Sequence, residues 1–252
     1  MPTILITGAT AGIGEATAMA FAAEGWNIIL TGRRKERLQQ LKELLEREYP
    51  IEVFTLCFDI TKLQEVERSM ASITKPWQAI DVLVNNAGLA TSYELIEEGK
   101  PEDWDIMIDT NVKGLLYVTH MVLPWMISQH QGHIINLGSI AGKEVYPKGN
   151  VYCATKHAVD ALTKAMRVDL LPHGIRVTGI HPGKVATEFS LVRYKGDTAR
   201  ADAEYKGYVP LQAFDVAEAI LWAATRPAHV CINELTIMPT AQANTAHLLK
   251  NP

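Results

Sequence analysis

Three residues in the middle of the chain have the types and spacing to move a proton. Tyr152 and Lys156, in Tyr-Cys-Ala-Thr-Lys, lie one helical turn apart and share a helix face. A phenol ionises near pH ~10 and is a weak base by itself. A nearby ammonium favours the phenolate and lowers such a pKa by roughly 1–3 units. Tyr152 is therefore the candidate acid or base that exchanges a proton with a substrate alcohol or carbonyl, with Lys156 tuning it. Ser139 directly follows the apolar run HIINL and Gly138, which puts it at the carboxyl end of a strand, where its hydroxyl can bond the same substrate oxygen. A Tyr and a Lys can share a helix by chance. The pair gains meaning from a second constellation.

That constellation is TGATAGIG, with Gly8, Gly12 and Gly14 between an apolar run and a helical segment. Missing side chains there let the backbone turn tightly and approach a pyrophosphate resting on a helix N-terminus. The spacing is Gly-xxx-Gly-x-Gly rather than the commoner Gly-x-Gly-xx-Gly. At the end of the second strand, where an acidic residue would bind the ribose of NAD, the chain reads Thr31-Gly32-Arg33-Arg34. Two guanidinium forks suit a 2′-phosphate dianion, and no carboxylate is expected there to repel it. The expected cofactor is NADP.

The segments that must position these residues alternate from end to end. Strands are expected at Thr3–Thr7, Asn27–Thr31, Ile51–Phe58, Ile80–Val84, His133–Leu137, Ile175–Ile180 and Glu234–Met238. Helices are expected at Gly12–Glu24, Arg34–Tyr49, Lys62–Ile73, Pro101 to about Gln129 with a break near Thr110, Val151–Leu171 and Phe214–Thr225. This rhythm argues for an α/β, doubly wound Rossmann-type fold in one domain over residues 1–252, with a seven-stranded parallel sheet covered on both faces. Residues 188–210 are polar, show no clear period and read as a lid. The last residues read as a tail.

Composition narrows the function class. The chain has 252 residues, a formal charge of −4 and 48% hydrophobic residues. With no basic excess, nucleic acid is not an expected partner. No apolar stretch is long enough for a membrane span, and MPTILITGAT does not read as a signal peptide. Cys57, Cys153 and Cys231 are scattered, which suggests neither disulfides nor a zinc site and fits a reducing, cytoplasmic setting. His130 and His133 have metal-like spacing, but Gly132 breaks the helix between them, so no metal is expected. His181 precedes Pro182-Gly183 and is a candidate neighbour of the cofactor.

With these motifs in place, the chain resembles the short-chain dehydrogenase/reductase family over nearly its whole length. TGATAGIG looks like the family's cofactor loop, NNAG (Asn85–Gly88) like its motif after the fourth strand, and Tyr152-xxx-Lys156 like its catalytic pair. The resemblance implies that Asn111 joins Ser139, Tyr152 and Lys156 as a fourth catalytic residue, holding a helix distortion and a water of the proton relay. It implies cofactor contacts from Gly8, Thr10, Ala11, Gly12, Ile13 and Gly14, and from Arg33, Arg34, Asp59, Ile60, Asn86 and Gly88. It also implies contacts from Tyr152, Lys156, Pro182, Gly183, Val185 and Thr187, with Lys156 on the nicotinamide ribose. TGRRKERL, MIDTNVKGL, TEFSLVRYKGD and Met-Pro-Thr narrow the resemblance to NADP-dependent 3-hydroxy acid dehydrogenases, which act on serine, malonic semialdehyde and related compounds. That subgroup implies hydride transfer to the pro-S face of the nicotinamide, a sulfonate analogue such as sulfoacetaldehyde within reach, and a homotetramer.

A small anionic substrate needs a cation. Lys143, Lys148, Lys184 and Arg193 are candidates, and Arg193 in the lid is preferred because a guanidinium can grip a carboxylate or sulfonate as a fork. The expected substrate residues are Ser139, Tyr152 and Arg193. Two rival readings stand beside this one. One is a reductase of the same fold acting on acyl-carrier thioesters, sugars, steroids or neutral ketones. The other is a non-catalytic NADP sensor, which loss of Tyr152 or Lys156 would favour.

Overall fold

Continuous apolar runs form strands buried on both faces here, and the amphipathic segments between them cover the two faces. The computed structural model describes residues 1–250; Asn251 and Pro252, the end of the domain expected from the sequence, lie outside the described residues. β1 (Thr3–Ile6), β2 (Asn27–Gly32) and β3 (Val53–Cys57) alternate with α1 (Gly12–Ala23) and α2 (Lys35–Glu48). α3 (Leu63–Ala71) and a single turn, α4 (Lys75–Gln78), lead to β4 (Val82–Asn85). α5 (Pro101–Ile108) and α6 (Leu115–Gln129) precede β5 (Gly132–Leu137), and α7 (Asn150–Asp169) precedes β6 (Ile175–Pro182). A short pair, β7 (Val185–Ala186) and β8 (Leu211–Gln212), brackets α8 (Phe189–Arg193) and α9 (Thr198–Ala203). α10 (Ala213–Ala224) and β9 (Glu234–Ile237) follow.

The seven-stranded sheet has the order β3-β2-β1-β4-β5-β6-β9, with every pairing parallel. Side chains alternate across it. Ile4, Ile6, Ile28 and Leu30 pack on the α1, α2 and α10 side, whereas Leu5, Ile29 and Leu83 meet Val118, Val122 and Met126 of α6. Chain order reverses between β1 and β4, which opens a crevice at the carboxyl ends of the strands. Among the described residues no helix is long and apolar enough to cross a membrane.

The long helix expected from Pro101 onwards is interrupted where the sequence suggests a break: residues Asp109–Gly114 form a π-helical turn between α5 and α6. Two expectations need correction. The segment 188–210 is not without regular structure. α8 and α9 lie in it, and the β7–β8 pairing (Val185↔Leu211, Ala186↔Gln212) clamps its two ends together. These elements are too short for a period to show. The C-terminal residues are not a free tail. Gln242 is buried, its Oε1 accepts from Lys184 N at 2.9 Å, and Thr245 N donates to Glu144 at 2.9 Å. His133 lies in the strand expected there, fully buried in β5 against Thr178, and burial pushes its pKa down to about 3.

Gly14 shows how tightly the glycine loop is built. A Cβ there would stand 2.5 Å from Asn86 Nδ2 and 2.5 Å from Gly8 O. Alanine favours a helix over glycine by about 1 kcal/mol, but overpacking costs about 1–3 kcal/mol and here meets backbone. Gly14→Ala is therefore expected to lower stability in urea unfolding. A variant as stable as the wild type would show that the loop has slack.

Candidate active site

A cleft of about 380 Å³ lies at the β1/β4 switch point. Gly8, Thr10, Ala11, Gly12 and Ile13 form one wall, and Gly8 and Gly12 have left-handed φ values of 66° and 56° that favour glycine. Arg33, Arg34, Asp59, Ile60, Asn86 and Gly88 also line it. Ser139, Tyr152, Lys156, Pro182, Gly183, Val185 and Thr187 line the rest. Gly14, Asn111 and Arg193 stand just behind the lining. Asn86 spends its amide nitrogen on the glycine loop, donating to Thr7 O at 2.8 Å and Gly8 O at 3.2 Å. This cradle fits a dinucleotide: a glycine turn for a pyrophosphate, guanidiniums on the rim, and the Pro182–Thr187 segment packed against the turn at Gly12.

Asn111 sits in the π turn, and its amide is fully engaged. Nδ2 donates to Leu89 O at 2.8 Å and Thr155 Oγ1 at 3.0 Å, while Leu89 N donates to Oδ1 at 2.8 Å. It thus ties the loop after β4 to α7. Gly88 lies between Asn111 and Lys156, and a Cβ on it would meet Asn111 Oδ1 at 3.3 Å and Lys156 Nζ at 3.5 Å.

Lys156 is buried, and its Nζ donates to Leu137 O at 2.8 Å. Burial away from any carboxylate pulls its pKa down to about 8. Tyr152 is also buried, and desolvation raises its pKa. The Arg193 guanidinium and the Ser139 hydroxyl oppose that rise. A second cation joins the helix lysine beside this ring: Arg193 Cζ lies 5.0 Å from the ring centroid and Lys156 Nζ 6.0 Å away. Ser139 is held by accepting from Ala141 N at 3.1 Å.

Arg193 reaches Tyr152 from α8 through a box of aromatic rings. Its Nη2 donates to Tyr146 Oη at 2.7 Å, and its Cζ lies 5.7 Å from the Tyr93 ring and 5.1 Å from the Phe189 ring. Its Nε is buried without a partner. The other candidate cations are occupied or remote. Lys143 bonds Asp160 at 2.5 Å and Glu234 at 2.7 Å, Lys184 pairs with Glu204, and Lys148 lies on an exposed turn. His181 does not reach the cleft. It is buried beneath Gly138, with Nε2 3.7 Å from Asp160. Asp160, His181 and Glu234 are spaced like metal ligands, but the Lys143 and Lys164 ammoniums take both carboxylates.

Sequence reasoning missed several site residues. Tyr93, Tyr146 and Phe189 build the box around Arg193; the one available signal was aromatic residues in otherwise polar loops. It also missed a carboxylate at the arginines. Glu188, at the base of the lid, bonds Arg34 and Arg37 at 2.8 Å each, a pairing across 154 positions that local sequence does not show.

The family model for short chain dehydrogenase matches residues 2–196, and the chain belongs to that family of oxidoreductases. It is 48% identical over 241 residues to the NADP-dependent 3-hydroxy acid dehydrogenase YdfG of Salmonella typhi, covering 95% of this chain and 96% of that protein. It is 47% identical to sulfoacetaldehyde reductase 2 of Chromohalobacter salexigens, covering 96% of each. Among solved structures, the closed form of serine dehydrogenase complexed with NADP+ superposes with a TM-score of 0.92 at 45% identity, covering 99% of this chain and 100% of that one.

The buried lysine gives a stability signature. Its pKa of about 8 lies below the ordinary 10.5. Between those values the unfolded chain binds more protons, so stability rises with pH. From pH ~7 to ~10 the wild type is expected to gain on the order of 3 kcal/mol relative to Lys156→Met. A constant difference between the two proteins would place Lys156 in a wetter site than described.

Proposed function

We propose that the protein is an NADP(H)-dependent oxidoreductase of small 3-hydroxy acids and the matching semialdehydes, with a sulfonate such as sulfoacetaldehyde as an alternative substrate. The observation that carries the substrate class is Arg193, a guanidinium with a buried, unpartnered nitrogen next to the Tyr152 ring. The names of the relatives support the cofactor and the small hydroxy or carbonyl substrate.

Bound NADPH supplies the hydride. The chain does the rest. Ser139 and Tyr152 hold the carbonyl oxygen between two hydroxyls, and Tyr152 gives it a proton as the alcohol forms. In the reverse direction Tyr152 takes the proton back, which the positive charges of Arg193 and Lys156 assist. Lys156, beside Gly88, would hold the nicotinamide ribose, and Asn111 fixes the loop and helix on either side of it. Arg193 takes the carboxylate or sulfonate, with the Tyr146 hydroxyl beside it. The 5.0 Å between the Arg193 guanidinium and the Tyr152 ring suits a substrate whose anion is only a few bonds from its carbonyl. Such a molecule offers little apolar area, so a charge-assisted contact must supply much of its affinity. A homotetramer packed through α6 and α7 belongs to the same reading; Leu116 and Val168 stand exposed on those helices.

With NADPH, malonic semialdehyde and sulfoacetaldehyde are expected to show higher kcat/KM than neutral propanal. Better turnover of neutral or bulky carbonyls would overturn the substrate class. Arg193→Ala is expected to raise KM for the anions and spare the neutral aldehyde. Equal losses would make Arg193 a shaper of the lid. Tyr152→Phe is expected to retain NADPH binding and lose at least about a hundredfold in kcat; near-normal turnover would remove Tyr152 as the proton donor. Arg33→Asp is expected to narrow or invert the preference for NADP over NAD, read as the ratio of kcat/KM values.

A further inference from the structure

Arg34 is already engaged by the protein through all three of its nitrogens. Its Nε and Nη2 donate to Thr10 Oγ1 at 3.0 and 2.9 Å, and its Nη1 donates to Glu188 at 2.8 Å. Arg37 donates its Nη1 to the other oxygen of Glu188 at 2.8 Å and to Thr10 O at 3.3 Å. One carboxylate thus bridges Arg34, which lines the cleft where a 2′-phosphate would need it, and Arg37, which stands outside that lining. The neighbouring Arg33 side chain makes no hydrogen bond to protein among the described residues, so a phosphate meets one free guanidinium and two engaged ones. A carboxylate and a phosphate dianion repel at hydrogen-bond range, so both cannot share the same donors.

We propose that Glu188 is a cofactor-specificity residue: an internal competitor for the 2′-phosphate that occupies Arg34 and Arg37 until the phosphate displaces it. The proposal rests on the NADP reading above. The exchange replaces one negative charge by about two on the same donors, and guanidinium–phosphate bonds are charge-assisted and often bidentate. A cofactor without the phosphate gains little from these arginines, because Glu188 keeps holding them. The free Glu188 carboxylate turns to solvent at little cost, being already half-exposed. Its pKa, lowered by the two guanidiniums, fits a carboxylate that stays ionised while it competes.

The test is calorimetric binding of 2′,5′-ADP and 5′-AMP to the wild type and to Glu188→Gln. Half-exposed ion pairs are weak, so removing both is expected to tighten 2′,5′-ADP by about two- to tenfold. Binding of 5′-AMP is expected to stay unchanged. Glu188→Asp, too short to bridge both guanidiniums, is expected to fall between. Unchanged or weaker 2′,5′-ADP binding in Glu188→Gln would overturn the proposal, and weaker binding of both nucleotides would make Glu188 a strap that retains ligand. A wild type that binds 5′-AMP as well as 2′,5′-ADP would instead overturn the NADP reading. Circular dichroism of the variants guards against misfolding, and Glu188 stands on the surface with no core contact to lose.

Discussion

Two buried positive charges converge on one phenol. Lys156 and Arg193 both lie near the Tyr152 ring, and neither forms an ion pair with a carboxylate among the described residues. A buried cation without a counter-ion is costly unless something compensates it. For Lys156 the compensation is partial, from the Leu137 carbonyl, and its pKa falls to about 8. For Arg193, which keeps its charge at any ordinary pH, the compensation is a set of aromatic faces and the Tyr146 hydroxyl. What remains unsatisfied is a place for negative charge: the phenolate of Tyr152, the anion of a substrate, or both in turn.

The rest of the molecule reads as the means of holding those charges there. The parallel sheet brings Leu137, Gly138 and Ser139 to the carboxyl end of β5. α7 presents Tyr152 and Lys156 on one face. The π turn swings Asn111 inward to bind both the loop after β4 and α7, a local departure from α-helix that such turns often make at functional sites. Arg193 comes from a segment that is mostly surface, and the β7–β8 pair fixes its two ends. The C-terminal residues then brace that region, where Gln242 fills the space a Cβ on Gly183 would need, at 2.6 Å.

The repetitive parts of this design were legible in the sequence. Strand after strand is a short apolar run because both sheet faces are covered, and the glycine loop, Pro101 and the break near Thr110 carry local backbone reasons. Long-range electrostatics were not legible. Lys143 looked like a substrate cation, but Asp160 and Glu234 claim it from two other elements. Arg33 and Arg34 looked unopposed, but Glu188 reaches Arg34 from across the cleft. Lys156 looked like the main cation acting on Tyr152 because the two are neighbours on a helix. Packing of the lid puts Arg193 closer to the ring. Pattern fixes which face a residue takes, whereas charge pairing depends on where distant loops come to rest.

The lid's guanidinium, beside the helix lysine, acts on the ionisation of the Tyr152 phenol. Burial raises the pKa of Tyr152 and Arg193 opposes that rise, so removing Arg193 must push the phenol to ionise at higher pH. The measurement is an ultraviolet phenolate titration of Tyr152, isolated by difference against Tyr152→Phe, in the wild type and in Arg193→Gln. A later, more alkaline titration is expected in Arg193→Gln. A midpoint that stays in place or moves to lower pH would contradict it.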